Sequence, residues 1–279
     1  MARVRYSFSA RKTGHIENIR KQKKKFPSIA REVVDASDIV LEILDARFIN
    51  ETRNKEIEEY AKKKRKRIIF VLNKADLTDK INKELLSELY PYVFVSAKTR
   101  KGSKDLRNRI KIEAKKIEKP KSDLGKVSIG IVGYPNTGKS SLINMLIGRH
   151  SARTAPEAGF TKGLQKLNLS PEIQLIDSPG IIPEKEYSNI LTEKISKHAK
   201  VGGRSYNQIK DPEMVMVSII KEYPGVLEKH YNIQANGNSD ILFEEIGKRH
   251  GFLKKGGLVD ENRTARFILR EWQEGKIKV

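Results

Sequence analysis

Between Gly133 and Ser140 the chain reads Gly-Tyr-Pro-Asn-Thr-Gly-Lys-Ser, the spacing G-x-x-x-x-G-K-[ST]. Glycines at these positions let the backbone curl until successive amide protons point at one place, and a helix opening at the lysine adds the positive end of its dipole. Such a loop cradles phosphates. Asn136, Thr137 and Gly138 supply the backbone, Lys139 reaches the outer phosphates, the Ser140 hydroxyl ligates Mg²⁺, and Ser141 completes the phosphate-binding set. Downstream, Asp177-Ser178-Pro179-Gly180 offers a carboxylate for the Mg²⁺ shell and a glycine amide, Gly180, for a terminal phosphate. A bare D-x-x-G arises about once in a chain of this size, so its weight rests on lying at a strand end after the loop. Thr161, in Ala158-Gly159-Phe160-Thr161-Lys162, is either a switch threonine that completes Mg²⁺ coordination when the terminal phosphate is present or a plain loop threonine.

A second group of residues could read a base. In Asn73-Lys74-Ala75-Asp76 the aspartate carboxylate can accept both the ring and the exocyclic protons of guanine, whereas adenine presents an acceptor at that ring nitrogen. Sites built around such hydrogen bonds reject the wrong partner on the order of thousands-fold. Asn73 would tie the nucleotide loops together, and the Lys74 stem would lie over the base. Ser96-Ala97-Lys98 would offer an amide to the guanine carbonyl.

These motifs need strand ends to hold them. Short runs rich in Val, Ile and Phe predict strands at Ile39–Leu44, Ile68–Leu72, Tyr92–Val95, Val127–Val132 and Ile173–Ile176. Amphipathic stretches between them predict helices near Asn54–Lys64, Lys80–Leu89, Lys104–Glu118 and Lys139–Ile147. The alternation is that of a mostly parallel sheet with helices on both faces, an α/β fold. The order of motifs is unusual: in small GTPases the phosphate loop comes first, while here Asn73–Asp76 and Ser96–Lys98 precede Gly133. A doubly wound sheet tolerates such a circular permutation, because termini that lie close can be joined and new ones opened elsewhere. Lys119–Gly125 breaks both patterns and reads as the connector.

After Pro183 helical spacing takes over, with runs at Pro212–Ile220, Asp240–Lys248 and Thr264–Trp272. The expected division is a permuted P-loop domain over residues 1–185 and a smaller all-helical domain over 186–279. Pro212 suits a first helical turn, and Ser239 or Asp240 is placed to cap the next helix.

Lys and Arg number 56 against 35 Asp and Glu, a formal charge of +21, which favours a polyanionic partner without separating RNA from DNA or membrane; solubility is the plainer reading. The run Lys62–Arg67 fits equally a nucleic-acid patch and cations at a helix end. Among Arg3, Arg5 and Arg11, Tyr6 and Phe8 suit base stacking or core packing, and Lys21–Lys25 could follow a phosphate backbone. The absence of cysteine excludes disulfides and thiol catalysis. No stretch approaches the apolar length of a spanning helix, so a cytoplasmic protein without membrane attachment is expected, with a monomer as the default.

Taken together, the permuted order, Asp45-Ala46-Arg47 after the first strand, Gly14-His15 and the basic helical tail resemble the circularly permuted ribosome-assembly GTPases of the ribosome biogenesis GTPase A type. The resemblance covers most of the chain. It implies binding of GTP and GDP with Mg²⁺, slow hydrolysis, and action on the precursor of the large ribosomal subunit through ribosomal RNA. Ile181 stands where Ras-like proteins carry a water-orienting glutamine, and an apolar side chain cannot orient water. The resemblance supplies two substitutes, His15 in the amino-terminal segment and a potassium ion held by Asn136, so that His15, Asn136 and Lys139 form the expected catalytic set. A surface or RNA-contacting role is the plainer reading of His15. Asp45 and Arg47 match the family signature without a chemistry of their own in the sequence, and a buried ion pair bracing the sheet is the default reading. His150, His198, His230 and His250 show no ligand spacing and read as surface or packing residues.

Overall fold

The computed structural model describes residues 28–78, 83–120, 122, 125–148, 165–177 and 197–279. A helix over 28–36, α1, leads into β1 (Ile39–Asp45), α2 (Ile49–Thr52), α3 (Lys55–Lys63), β2 (Arg67–Asn73), α4 (Lys83–Ser87), β3 (Tyr92–Phe94) and α5 (Ser103–Ala114). Next come β4 (Val127–Gly133), α6 (Lys139–Ile147), β5 (Gln165–Ser170) and β6 (Ile173–Asp177). The helical part contains α7 (Pro212–Glu222), α8 (Val226–Tyr231), α9 (Ser239–Arg249) and α10 (Glu261–Glu274).

The strands form one sheet in the order β3-β2-β1-β4-β6-β5, parallel throughout except for β5 against β6. Every residue of β1 and β4 is buried, as parallel strands covered on both faces require. Alternate side chains point to opposite faces. Leu41, Ile43, Val71 and Ile131 meet Leu106 and Ile110 of α5 and Leu142 and Leu146 of α6. On the other face Val40, Val132 and Ile176 meet Val33 of α1 and Ile57 and Ala61 of α3, while Leu44 and Leu72 pack with Ile49 and Leu89.

The five expected strands are present, with shifts of one residue at their ends. β5 was not expected: Gln-Lys-Leu-Asn-Leu-Ser has two apolar residues, and pairing with β6 holds it as an edge strand. α1 was also missed, and α2 and α8 span only four and six residues, too short to show a helical period. α5 stops at Ala114 rather than Glu118, and α4 ends at Ser87 rather than Leu89, the expected start at Lys80 lying outside the described residues. α9 is capped by Asn238, not by Ser239 or Asp240: its Oδ1 accepts the amides of Asp240 (2.9 Å) and Ile241 (3.3 Å). Pro212 does occupy the first turn of α7. In the run Lys62–Arg67, Lys62 and Lys63 lie in the last turn of α3, Lys66 donates to the Asp35 and Ser37 carbonyls, and Arg67 pairs with Glu113, while Lys62–Arg65 and Arg67 are exposed.

α7, α9 and α10 share a core around Trp272, Leu269, Ile219 and Phe243, and two residues of the sheet half, Phe48 and Tyr134, belong to that same core. The expected division at 185/186 falls outside the described residues. Among the described residues no helix is long and apolar enough to cross a membrane.

Candidate guanine-nucleotide site

From β1 the sheet is built outward in one direction through β2 and β3, and from β4 in the other through β6 and β5. The reversal between β1 and β4 opens a crevice at the carboxyl ends of the strands, the usual ligand position in such sheets. The expected motifs lie along that edge because each follows a parallel strand: Asp45 ends β1, Asn73 ends β2, Ser96 follows β3, the phosphate loop follows β4 and Asp177 ends β6.

The phosphate loop is held by its own backbone and by neighbours. Gly133 has φ +156°, and a Cβ there would meet the Ile43 carbonyl oxygen at 2.6 Å. Asn136 (φ +59°) and Gly138 (φ +95°) take left-handed conformations, which aim consecutive amides inward. Thr137, fully buried, donates from Oγ1 to the Tyr134 carbonyl (2.9 Å). Lys139 opens α6 and folds back across the loop, its Nζ donating to the carbonyls of Gly133 (3.0 Å) and Tyr134 (2.8 Å). Burial pushes this ammonium down to about 8, against the pull of the Asp177 carboxylate. A buried cation beside uncapped amides at the start of a nine-residue helix is the electrostatic complement of a polyphosphate. Ser140 is half-buried at the loop mouth and Ser141 is exposed one position on. Asp177 is buried and registers against Ile131 of β4.

On the base-reading side Asn73 joins three segments. Its Nδ2 donates to the Thr137 carbonyl (2.7 Å), and its Oδ1 accepts the Ala97 amide (3.0 Å). A Cβ on Gly138 would run into the Asn73 amide nitrogen, so glycine is required there by close approach as well as by φ. Ala75 donates to the Val95 carbonyl (3.1 Å), fixing a single 3₁₀ turn over Ala75–Leu77 that carries the half-buried Asp76. Ser96 is buried and accepts the Thr99 amide on its Oγ (3.1 Å), while the Lys98 side chain is exposed. Asn73 and, through it, the Ala97 amide are thus held against the phosphate loop, with Lys74 and Asp76 following Asn73 and Ser96 preceding Ala97 along the chain. His15, Thr161, Gly180, Ile181 and the amino-terminal Tyr6, Phe8 and Lys21–Lys25 lie outside the described residues.

Asp45 and Arg47 do form a buried ion pair: the guanidinium grips both carboxylate oxygens, with Nε at 3.0 Å and NH2 at 2.8 Å. Lys74 joins them, its Nζ 2.8 Å from Asp45 Oδ2. Burial alone would push the Asp45 carboxyl up, but Lys74 and Arg47 outweigh it and hold it well below the usual carboxylate range. Sequence spacing gave no sign of the Lys74 partner, 29 positions away. It also missed two contacts of the phosphate loop with the helical part. Asn136 Nδ2 donates to the Gly202 carbonyl (2.7 Å), and the Tyr134 hydroxyl is hydrogen-bonded to His198 Nδ1. His198 is therefore a packing residue, buried and stacked on Tyr134, whereas His250 is exposed with its ring against Phe252 and Phe267.

Comparison with known proteins agrees with this geometry. Residues 128–240 match the family described as 50S ribosome-binding GTPase. A GTP-binding protein of Methanocaldococcus jannaschii is 39% identical over 259 residues, 91% of this chain and 67% of that protein. Nucleolar GTP-binding protein 2 of Yarrowia lipolytica is 34% identical over 92% of this chain, which spans only 50% of that relative's length. The GNP-bound structure of YlqF from T. maritima superposes with a TM-score of 0.60 and 25% identity, covering 88% of this chain and 92% of the other. With the base-reading tetrad ahead of the phosphate loop on a sheet of this order, the chain belongs to the family of circularly permuted, YlqF-type ribosome-assembly GTPases.

Proposed function

We propose that the chain binds GTP and GDP, hydrolyses GTP slowly, and acts on the precursor of the large ribosomal subunit. The observation that carries the nucleotide reading is the Asn73 bridge, which holds the phosphate loop and the Ser96–Lys98 loop in one rigid arrangement. In this reading Asp76 selects guanine, Lys74 covers the base, an amide of Ser96–Lys98 meets the guanine carbonyl, and Asn136 to Ser141 surround the phosphates. Lys139 and the amides at the start of α6 stabilise the charge that grows on the phosphate oxygens during transfer.

Among the described residues no cluster of three His, Cys, Asp or Glu could hold a metal by itself. One buried carboxylate, Asp177, and one hydroxyl, Ser140, instead fit Mg²⁺, a hard cation that keeps waters and shares phosphate oxygens. Thr161 is assigned to the same shell and Gly180 to the terminal phosphate. Bound Mg²⁺ supplies neutralisation of phosphate charge. Asn136 is assigned to potassium through its side-chain oxygen, its amide nitrogen being turned to Gly202. Orienting the attacking water falls to His15, since Ile181 cannot do it.

The partner follows from the formal charge of +21 together with the relatives: the matching family is described as 50S ribosome-binding, and the yeast relative as nucleolar. We assign residues 1–185 to the GTPase domain and 186–279 to a helical RNA-binding domain, in a monomeric cytoplasmic protein.

The test is binding and turnover of GTP against ATP, in potassium or sodium, with large or small subunits added. GTP-selective turnover raised by potassium and by large subunits is the expected result. Asp76→Asn replaces a double acceptor by an acceptor and a donor, so its affinity for GTP should fall about 100-fold or more while that for xanthosine triphosphate rises. Comparable binding of ATP by the unaltered protein would overturn the nucleotide reading. Equal turnover with and without large subunits would overturn the assignment of the partner.

A further inference from the structure

Asp45 and Arg47 stand between the base-reading loop and the last helix. Arg47 donates its backbone amide and two side-chain nitrogens to Asp45, and turns its remaining nitrogen, NH1, to the Trp272 carbonyl near the end of α10 (3.1 Å). Its guanidinium also lies over the Phe48 ring, 4.7 Å from the centroid, and Phe48 stacks on Trp272. Asp45 holds the ammonium of Lys74, whose left-handed backbone (φ +61°) is uncommon for a residue with a side chain. Three positions on, Leu77 is tied to the same distal segment. The Val279 amide donates to the Leu77 carbonyl (3.0 Å), and Gly275 lies so close to the Leu77 side chain that a Cβ would strike it. Both ends of the base-reading turn are therefore fastened to residues 272–279.

We propose that Asp45 and Arg47 are positioning residues which set Lys74 against the guanine base and couple base binding to the docking of residues 272–279. The inference rests on the guanine-nucleotide reading. The physical reason is that Asp45 is fully buried and both of its cationic partners must stay in place. A shift of residues 272–279 moves Arg47, leaves the carboxylate under-neutralised and redirects Lys74. By linkage, a base that orders Lys74 must strengthen the docking by the same factor.

Hydrogen exchange on the full chain tests this without any substitution. GDP should slow exchange at the Val279 amide about fivefold or more, whereas inorganic pyrophosphate, which fills the phosphate loop without a base, should leave it unchanged. Arg47→Lys keeps a cation beside Asp45 but loses the fork and the reach to Trp272. It should speed GDP release about tenfold, leaving pyrophosphate affinity and the GTP-to-GDP affinity ratio as they were. A purely structural role would weaken GDP and pyrophosphate alike. An unchanged GDP release rate in folded Arg47→Lys, or equal Val279 exchange with and without GDP, overturns the proposal; should Arg47→Lys not fold, the exchange measurement on the native chain decides. A native chain that binds no guanine nucleotide removes the underlying reading and the inference with it.

Discussion

Glu42 is a carboxylate in the middle of a fully buried strand, and its chemistry is set by what surrounds it. Burial, with Glu58 nearby, pushes its carboxyl up to about 8, against the Asn54 amide that donates to it (2.8 Å) and the charge of Arg53. Between the ordinary carboxylate range and that value the folded chain keeps a proton that the unfolded chain has lost. Stability from this group is therefore present at low pH and is lost as pH rises through about 8. Glu42→Gln keeps the oxygen that accepts from Asn54 and removes the ionisation. It should be near neutral at pH 5 and stabilising by about 1–3 kcal/mol at pH 9, read from urea unfolding at the two pH values. A pH-independent difference would contradict the assignment. Nothing in the sequence marked this residue, since one glutamate in an apolar run looks like any strand position facing solvent.

At the scale of elements, the joints between strand, loop and helix are where substitution should separate function from stability. Gly138→Ala forces a methyl group into the Asn73 amide at a left-handed position, displacing the bridge between phosphate loop and base-reading loop. Nucleotide affinity should fall at least about tenfold, with a loss of stability of about 1–3 kcal/mol. Asn238→Ala, by contrast, removes the cap of α9 and should cost about 1 kcal/mol while leaving nucleotide affinity untouched. Isothermal titration and thermal melts of the two variants distinguish the cases. β1, β2, β4 and β6 were legible because strands covered on both faces are written as mostly apolar runs, broken within β1, β4 and β6 only by Glu42, Ser128 and Gln174 among polar side chains before the strand ends. β5 was not, because an edge strand takes its definition from the partner it pairs with rather than from its own residues.

Over the whole molecule, the sheet half and the helical part share a core through Phe48, Tyr134 and Trp272. The Trp272 ring is fully buried against Phe48, and its Nε1 donates to the Lys200 carbonyl (3.1 Å). Trp272→Ala should cost about 3–5 kcal/mol and lower the melting of both parts together, seen by calorimetry as a shifted single transition. Two well-separated transitions, one of them unmoved, would show that the shared core does not couple them. The division expected from the change to helical spacing after Pro183 places these residues in different domains, and local spacing has no means of seeing a core that spans both.

By itself the sequence marked the candidate phosphate loop, the candidate base-reading tetrad and their permuted order, because such motifs are short contiguous stretches set by local backbone geometry at strand ends. Asp45 and Arg47 carried no firm chemistry along the chain, a buried ion pair being only the default reading, and the structure showed that pair formed. Only the tertiary structure decided which distant groups complete that framework: Lys74 on Asp45, Gly202 on Asn136, His198 on Tyr134, Trp272 on Arg47, and Val279 on Leu77 at the end of the base-reading turn. Contacts between segments 29 to more than 200 residues apart carry no period or spacing along the chain, and they exist only once the sheet has brought its strand ends to one edge and the helices have packed against it.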